Sequence, residues 1–368
     1  MFEPVGIRSL AVSFPSIRRT NDYYRENYPE LLAQAEHKGL AQLFSLSGST
    51  PENEFEQEMM PYLSDPFRGS VERWVLGQGE SSLTLEYRAA CDALDAAKLS
   101  PQEIDLMIVA SVWPEQIIFG NASCLARQLG LQGAAWNING GTGSTPVALQ
   151  TACALVQAGE YRNVLVVISC TYSHFFDEAD TTPWFISDGA GAFVVSSLET
   201  NQGILGTKTV HTGAVDATCS AKFVKDIQGY PQVRMQLSED ANKLISETSA
   251  KFLRNCCEGV TTAAGVTLKQ IDFFIFHTFT AWFTNFGASI LGIDPERTIN
   301  LYPWYANVGP VLTVVNLYYA ARLGKIREND LVLLYGMGGA GTASANVMRW
   351  GKVALGPDPL KQYNLRER

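Results

Sequence analysis

The sequence is poor in the residues that build metal centres, disulfide frameworks and membrane spans. Its 368 residues include four histidines and seven cysteines, of which Cys256 and Cys257 alone are adjacent. An odd, scattered set without a CxxC spacing argues against a disulfide scaffold or a zinc cage, and fits a reducing cytoplasm. His174 lies near Asp177, Glu178 and Asp180, but this grouping reads as a solvated loop, so no metal is expected. No apolar run approaches the roughly eighteen residues of a membrane span. The N-terminus places a short apolar run ahead of its basic residues, the reverse of a secretory signal. Lys and Arg do not cluster, the formal net charge is -9 and the pI is near 5.1, which argues against nucleic acid or an anionic membrane as partner.

What the chain does have is apolar content, 46% of its residues, and an internal repeat. TLEYRAACDALDAAKLSPQEIDLMIVAS is echoed by KFLRNCCEGVTTAAGVTLKQIDFFIFHT, with Asp105 and Asp272 offset by 167 positions. Each copy reads as helix, loop and buried strand. TPVALQTACALVQAGEYRNVLVVISC is matched by PVLTVVNLYYAARLGKIRENDLVLLYG, with Gly159 and Gly324 ending helices offset by 165 positions. Pro146 and Pro310 stand near the first turns of these helices, where a missing N–H costs nothing. Both helices are apolar nearly all round, as central helices between layers must be. DGAGAFVVSS and GGAGTASANVMRW form a third pair, each reading as a Gly-rich turn before a strand. Two such copies predict an α/β fold of five layers, α/β/α/β/α, with halves 1–201 and 202–368 related by a pseudo-two-fold axis. Residues 20–78 have no counterpart in the second half and read as an insertion, a lid or a dimer contact. The segment 169–187 is also extra, and its Tyr172, His174, Phe175, Phe176 and Trp184 suit a loop beside a substrate tunnel.

The repeat also gathers polar residues. Thr142 plus the helix offset of 165 gives Asn307, and His277 minus the strand offset of 167 gives Ala110, so His277 closes its strand at a symmetry-related end. Helix N-termini offer unpaired N–H groups and a positive dipole end, suited to an oxyanion. The glycines of GGTGS and GMGGAG let backbone donors approach a carbonyl closely. Ser144 reads as a helix cap beside Pro146.

RWVLGQGESSLTLEYRAACDALDAAKLSPQEIDLMIVAS resembles the first recognisable block of β-ketoacyl-ACP synthase III and its relatives in the thiolase superfamily. The later landmarks follow in order: LGLQGAAWNINGGTGSTPVALQTACALVQAG resembles the nucleophile segment, SDGAGAFVVS the Gly-rich hairpin, IDFFIFH the histidine strand, YANVGP the asparagine loop and GMGGAG the oxyanion loop. The resemblance spans about residues 73–350 and implies the thiolase fold. By position it makes His277 the catalytic histidine, Asn307 the catalytic asparagine and Gly339 the oxyanion-hole glycine, with the Thr142 N–H as the second oxyanion donor. Thr142 stands where the family carries its nucleophilic cysteine. His277-Thr278-Phe279-Thr280 also departs from the family's usual His-Gln-Ala-Asn.

A secondary alcohol needs a base where a thiol does not. Cys153 lies too deep in its helix to replace the missing thiol, and Cys124 reads as a small buried residue. Trp282, Phe283, Phe286, Trp304 and Tyr305 either line a pocket for an acyl partner or pack in the core or a dimer contact. The resemblance implies an acyltransferase or condensing enzyme of specialised, polyketide or fatty-acid-derived metabolism. Its substrate is an acyl-CoA or acyl-carrier-protein thioester, its acceptor an O, N or C nucleophile, and no cofactor is needed. A homodimer is expected. The alternatives are a catalytically reduced subunit paired with a cysteine-bearing paralogue, and a malonyl-thioester decarboxylase that needs His277 and Asn307 alone.

Overall fold

The computed structural model describes residues 4–38, 44–46, 50–176, 180–213, 219–225, 229, 231–238, 240–338 and 341–359. The chain begins with strand β1 (Val5–Ser13), then β2 (Ile17–Thr20), helices α1 (Asn21–Asn27), α2 (Pro29–Lys38) and α3 (Glu54–Met59), and β3 (Glu72–Val75). Next come α4 (Ser82–Ala97), β4 (Leu106–Val112), α5 (Ala122–Leu129), β5 (Ala134–Asn137), α6 (Ser144–Gln157), β6 (Val164–Thr171) and β7 (Asp188–Ser197). The remainder runs β8 (Gly203–His211), β9 (Cys219–Lys225), β10 (Pro231–Leu237), α7 (Ala241–Ala264), β11 (Phe273–Phe276), α8 (Phe283–Leu291), α9 (Tyr302–Tyr305), α10 (Val311–Arg322), β12 (Leu331–Met337), β13 (Thr342–Arg349) and β14 (Ala354–Leu355).

Two sheets, ordered β14-β1-β7-β6-β4-β5 and β11-β12-β13-β8, enclose α6 and α10, while α4 and α7 cover the outer faces. This is the five-layered arrangement that the repeat predicts. The inner strands β4, β6 and β12 are buried on both faces, which is why they read as unbroken apolar runs. The repeated Ile-Asp pair has a shared task. Ile104 and Ile271 are buried, Asp105 Oδ2 accepts from the Arg162 and Asn163 N–H groups at 2.8 and 3.0 Å, and Asp272 Oδ2 accepts from the Leu331 N–H at 2.7 Å. Each carboxylate thereby fixes the start of the neighbouring parallel strand. The central helices meet where the Thr145 hydroxyl donates to the Pro310 carbonyl at 2.8 Å, from residues one helix offset, 165 positions, apart.

Two expectations change. The glycines of DGAGAFVVSS lie within β7 itself, where a Cβ on Gly191 would come within 2.6 Å of Val314, so they admit α10 against the strand. α10 is buried on every face through Ala320, but α6 exposes Ala154, a small residue whose exposure costs little. From beyond residue 202, β14 returns to pair in parallel with β1 (Ser9↔Ala354).

The 20–78 segment packs on its own chain. Phe55 of α3 meets Phe279, Trp282 and Phe286 with ring centroids 6.1, 5.7 and 5.3 Å apart. On β3, the Trp74 N–H donates to Ser187 Oγ at 2.8 Å, and the fully buried Arg73 donates its Nε–H to the Trp184 carbonyl at 2.6 Å. On α4, Glu86 is fully buried and accepts from Ser111 and Ser169 Oγ at 2.5 Å each and from Asn121 Nδ2 at 2.9 and 3.0 Å. Burial pushes its carboxyl up to about 7 against the pull of those bonds.

Candidate active site

Three segments meet beyond the ends of β11 and β12. His277 follows the last residue of β11, and its N–H donates to the Tyr335 carbonyl at 2.9 Å, extending the pairing with β12 by one residue. Asn307 is gripped through its backbone: its N–H donates to the Phe185 carbonyl at 2.9 Å, and its carbonyl accepts from the Ser187 N–H at 3.0 Å. Thr142 occupies a single 3-10 turn, Gly141–Gly143, immediately before α6.

The hub is a backbone atom. The Met337 carbonyl, at the end of β12, accepts the Thr142 hydroxyl at 2.6 Å and faces His277 Nδ1 at 3.2 Å. Both ring nitrogens face acceptors, and the shorter contact, to Met337, places the proton of the neutral ring on Nδ1 and leaves the lone pair on Nε2. Nε2 stands 3.4 Å from Asn307 Oδ1, which itself accepts from the Gly309 N–H at 2.9 Å. Burial lowers His277 to about 4, partly opposed by Asn307 and by the backbone of Met337 and Gly309. At neutral pH the ring is therefore uncharged, with an unprotonated nitrogen beside Asn307. It can take a proton from a bound group, and the resulting imidazolium would find acceptors already in place.

The structure thus brings Thr142, His277 and Asn307 together, but it does not pair Thr142 with His277. The hydroxyl proton of Thr142 lies on a carbonyl, which is no base. Gly339 lies outside the described residues, as do Asp177 and Glu178 of the His174 grouping. Its neighbour Gly338 sits against the Thr142 turn, where an added Cβ would lie 3.1 Å from the Thr142 nitrogen.

Ser144 does not cap α6 by accepting from its first turn. Its hydroxyl donates back to the Gly141 carbonyl at 2.6 Å and accepts from the Gly140 N–H at 3.0 Å, tightening the loop that carries Thr142. The aromatic residues are mostly core. Trp282 and Phe283 have no exposed area and so line no open cavity in this structure. Phe283 packs on Phe279 at 4.9 Å. Tyr305 is buried against Phe14 at 4.6 Å and donates its hydroxyl to Tyr319, while Trp304 is exposed. Cys153 is buried, and burial raises its thiol to about 12. Cys170 escapes sequence reasoning. Its Sγ would meet a Cβ on Gly309 at 2.8 Å, yet burial and the nearby Asp188 hold its pKa well above the usual thiol value, so it is no thiolate at neutral pH. The Met337 carbonyl was equally invisible, because a backbone acceptor has no residue-type signature.

The described residues contain no helix long and apolar enough to cross a membrane. The family model for 3-oxoacyl-[acyl-carrier-protein] synthase III matches residues 136–213, and that for its C-terminal part matches residues 261–350. A β-ketoacyl-[acyl-carrier-protein] synthase III from Chelativorans sp. is 30% identical over 291 residues, covering 77% of this chain and 88% of that protein. Its counterpart from Brucella canis is 28% identical over 286 residues, with the same coverage. Among solved structures, 3-oxoacyl-[acyl-carrier-protein] synthase III from Aquifex aeolicus superposes with a TM-score of 0.74 at 24% identity, covering 94% of this chain and 100% of that one. OleA from Xanthomonas campestris, solved with lauric acid and lauroyl-CoA, superposes with a TM-score of 0.76 at 18% identity over 95% and 100% of the two chains. These structures share the thiolase fold. With residues from both repeats converging on the Met337 carbonyl, and a relative matched over most of its length, the chain belongs to the β-ketoacyl-[acyl-carrier-protein] synthase III family.

Proposed function

We propose that this chain moves an acyl group from a CoA or carrier-protein thioester directly to a bound O, N or C nucleophile, in specialised fatty-acid-derived or polyketide metabolism. Thr142 stands in the place of the family's nucleophilic cysteine and is not acylated in this scheme. The observation that carries the proposal is the Thr142 hydroxyl donating to the Met337 carbonyl at 2.6 Å, an acceptor that cannot take its proton.

In this reaction His277 Nε2 takes the proton of the acceptor as its lone pair or carbanion attacks the thioester carbonyl. The tetrahedral intermediate collapses, the C–S bond breaks, and the departing thiolate recovers the proton from His277. The negative oxygen rests on the Thr142 N–H and, by position, on that of Gly339. Gly309 holds Asn307 Oδ1, which leaves the Asn307 Nδ2 hydrogens for the thioester or an enolate oxygen. The relatives' names support a carrier protein as one donor, and the bound lauroyl-CoA of OleA supports long acyl chains on CoA as another.

The test uses acetyl-, octanoyl- and lauroyl-CoA with hydroxylamine as a surrogate acceptor. Hydroxamate and free CoA should form while the intact protein gains no acyl mass. An adduct on the peptide containing Thr142, forming and decaying at the turnover rate, would overturn the scheme.

A further inference from the structure

A helix buried on every face gains nothing from an amide. Asn316 nevertheless sits in the middle of α10 with no exposed area. Leu or Val would fill such a place without desolvating a polar group. Its Nδ2 donates to the Phe276 carbonyl at 2.9 Å and to Thr278 Oγ1 at 3.0 Å, the residues on either side of His277.

The need for this amide follows from topology. Among the described residues β11 is an edge strand, paired within its sheet with β12 alone. Backbone groups of an extended chain face alternate sides. The His277 N–H is turned toward Tyr335 of β12, so the Phe276 carbonyl faces outward from the sheet edge. At Phe274 that edge is covered by a backbone bridge to Thr298. At Phe276 the cover is the Asn316 side chain. A buried carbonyl left without a partner forfeits the hydrogen bond it had to water in the unfolded chain. Thr278 is also fully buried, and its hydroxyl receives the second amide hydrogen.

We infer that Asn316, with Thr278 as its second anchor, is a positioning residue for His277: it pins the peptide before the imidazole and the side chain after it, so that the ring meets the Met337 carbonyl and Asn307. This rests on the proposed role of His277 as the proton acceptor. Thr278 stands where the resembled family has Gln, so the device belongs to this chain's own His-Thr-Phe-Thr sequence.

The experiment combines two readouts on full-length protein carrying Asn316→Leu, Thr278→Val or Thr278→Ser. Carbon-13 labelling of histidine gives four ring signals, and His277→Gln assigns the one at issue. Asn316→Leu and Thr278→Val should move the His277 signal and leave those of His174 and His211 in place. With lauroyl-CoA and hydroxylamine, kcat should fall about ten- to a hundredfold in Asn316→Leu while KM stays within about twofold, the pattern of a misplaced catalytic group. Thr278→Ser, which keeps the hydroxyl, should restore both readouts. A folded Asn316→Leu protein with the His277 signal and kcat of the parent overturns the inference. If Asn316→Leu does not fold, the contrast between Thr278→Val and Thr278→Ser decides it. If the parent protein transfers no acyl group at all, the proposed function fails and the ring signal alone judges the positioning.

Discussion

Thr142 and Met337 lie 195 positions apart, yet the hydroxyl of the first donates to the carbonyl of the second at 2.6 Å. A thiol would make a poor donor to that carbonyl, so an acceptor that binds threonine firmly would leave a cysteine sulfur comparatively free. Under the proposed function, the residue at this position would choose between covalent and direct transfer.

Thr142→Cys is expected to acquire an acyl mass when incubated with lauroyl-CoA, because its thiolate needs no proton relay. Thr142→Val is expected to lose about 1 kcal/mol of stability with the hydrogen bond, and to keep hydroxamate formation within about tenfold of the parent. Intact-mass spectrometry and urea unfolding measure the two effects.

His277→Ala and Asn307→Ala should each lower CoA release by about a hundredfold or more, the usual worth of a positioned acid-base group. The pH profile has a definite sign. His277 acts as a base only when neutral, so the rate should rise as pH climbs through about 4 and be flat with respect to this group above pH 6. A limb near the ordinary histidine value of 6.5 would contradict the buried, neutral ring.

Two buried groups pull stability in opposite directions. Glu86 titrates near 7 in the native state against 4.5 in the unfolded chain, so its contribution is full below pH 4.5 and is lost as pH rises through 7. His277 titrates near 4 instead of 6.5, so the unfolded chain takes up the proton first and stability drains as pH falls from 6.5 toward 4. Between these limits the two slopes largely cancel. Glu86→Gln removes one of them, and the Ser111 and Ser169 hydroxyls can reverse their bonds to suit an amide. Denaturant titrations should find the variant gaining on the parent above pH 7, by about 3 kcal/mol at the limit, with little gain at pH 4.5.

Gly309→Ala should cost about 2 kcal/mol through its left-handed backbone, since Gly309 has φ +53°. It should also disturb Asn307, because the new Cβ would press on Cys170 Sγ at 2.8 Å. Adding Cys170→Ala removes the contact but not the strain, so the double variant should recover part of the stability and no more. Full recovery would mean that the backbone conformation is free to relax.

The layers were legible because the repeat is carried by pattern: Ile-Asp pairs, apolar runs and helix-ending glycines recur at fixed offsets. The site was legible in outline for the same reason. What pattern did not convey was direction. Nothing in GGTGS says that Ser144 bonds backward, and nothing in DGAGAFVVSS distinguishes a turn from a strand that admits a helix. Trp282 reads equally as pocket or core until Phe55 of α3 is placed against it, and Phe283 until Phe279 and Tyr335 are. The decisive acceptors, the carbonyls of Met337 and Phe276, are backbone atoms that every residue possesses, so only topology could single them out.

The pairing of β14 with β1 has a consequence for synthesis on the ribosome. Strand β1 must wait for residues 354–355 before its sheet is complete, and the Met337 carbonyl is made long after both of the side chains it faces. Thr142 therefore waits 195 residues, and His277 60, for the atom that orders them, and a nascent chain cut short of Met337 carries an incomplete site.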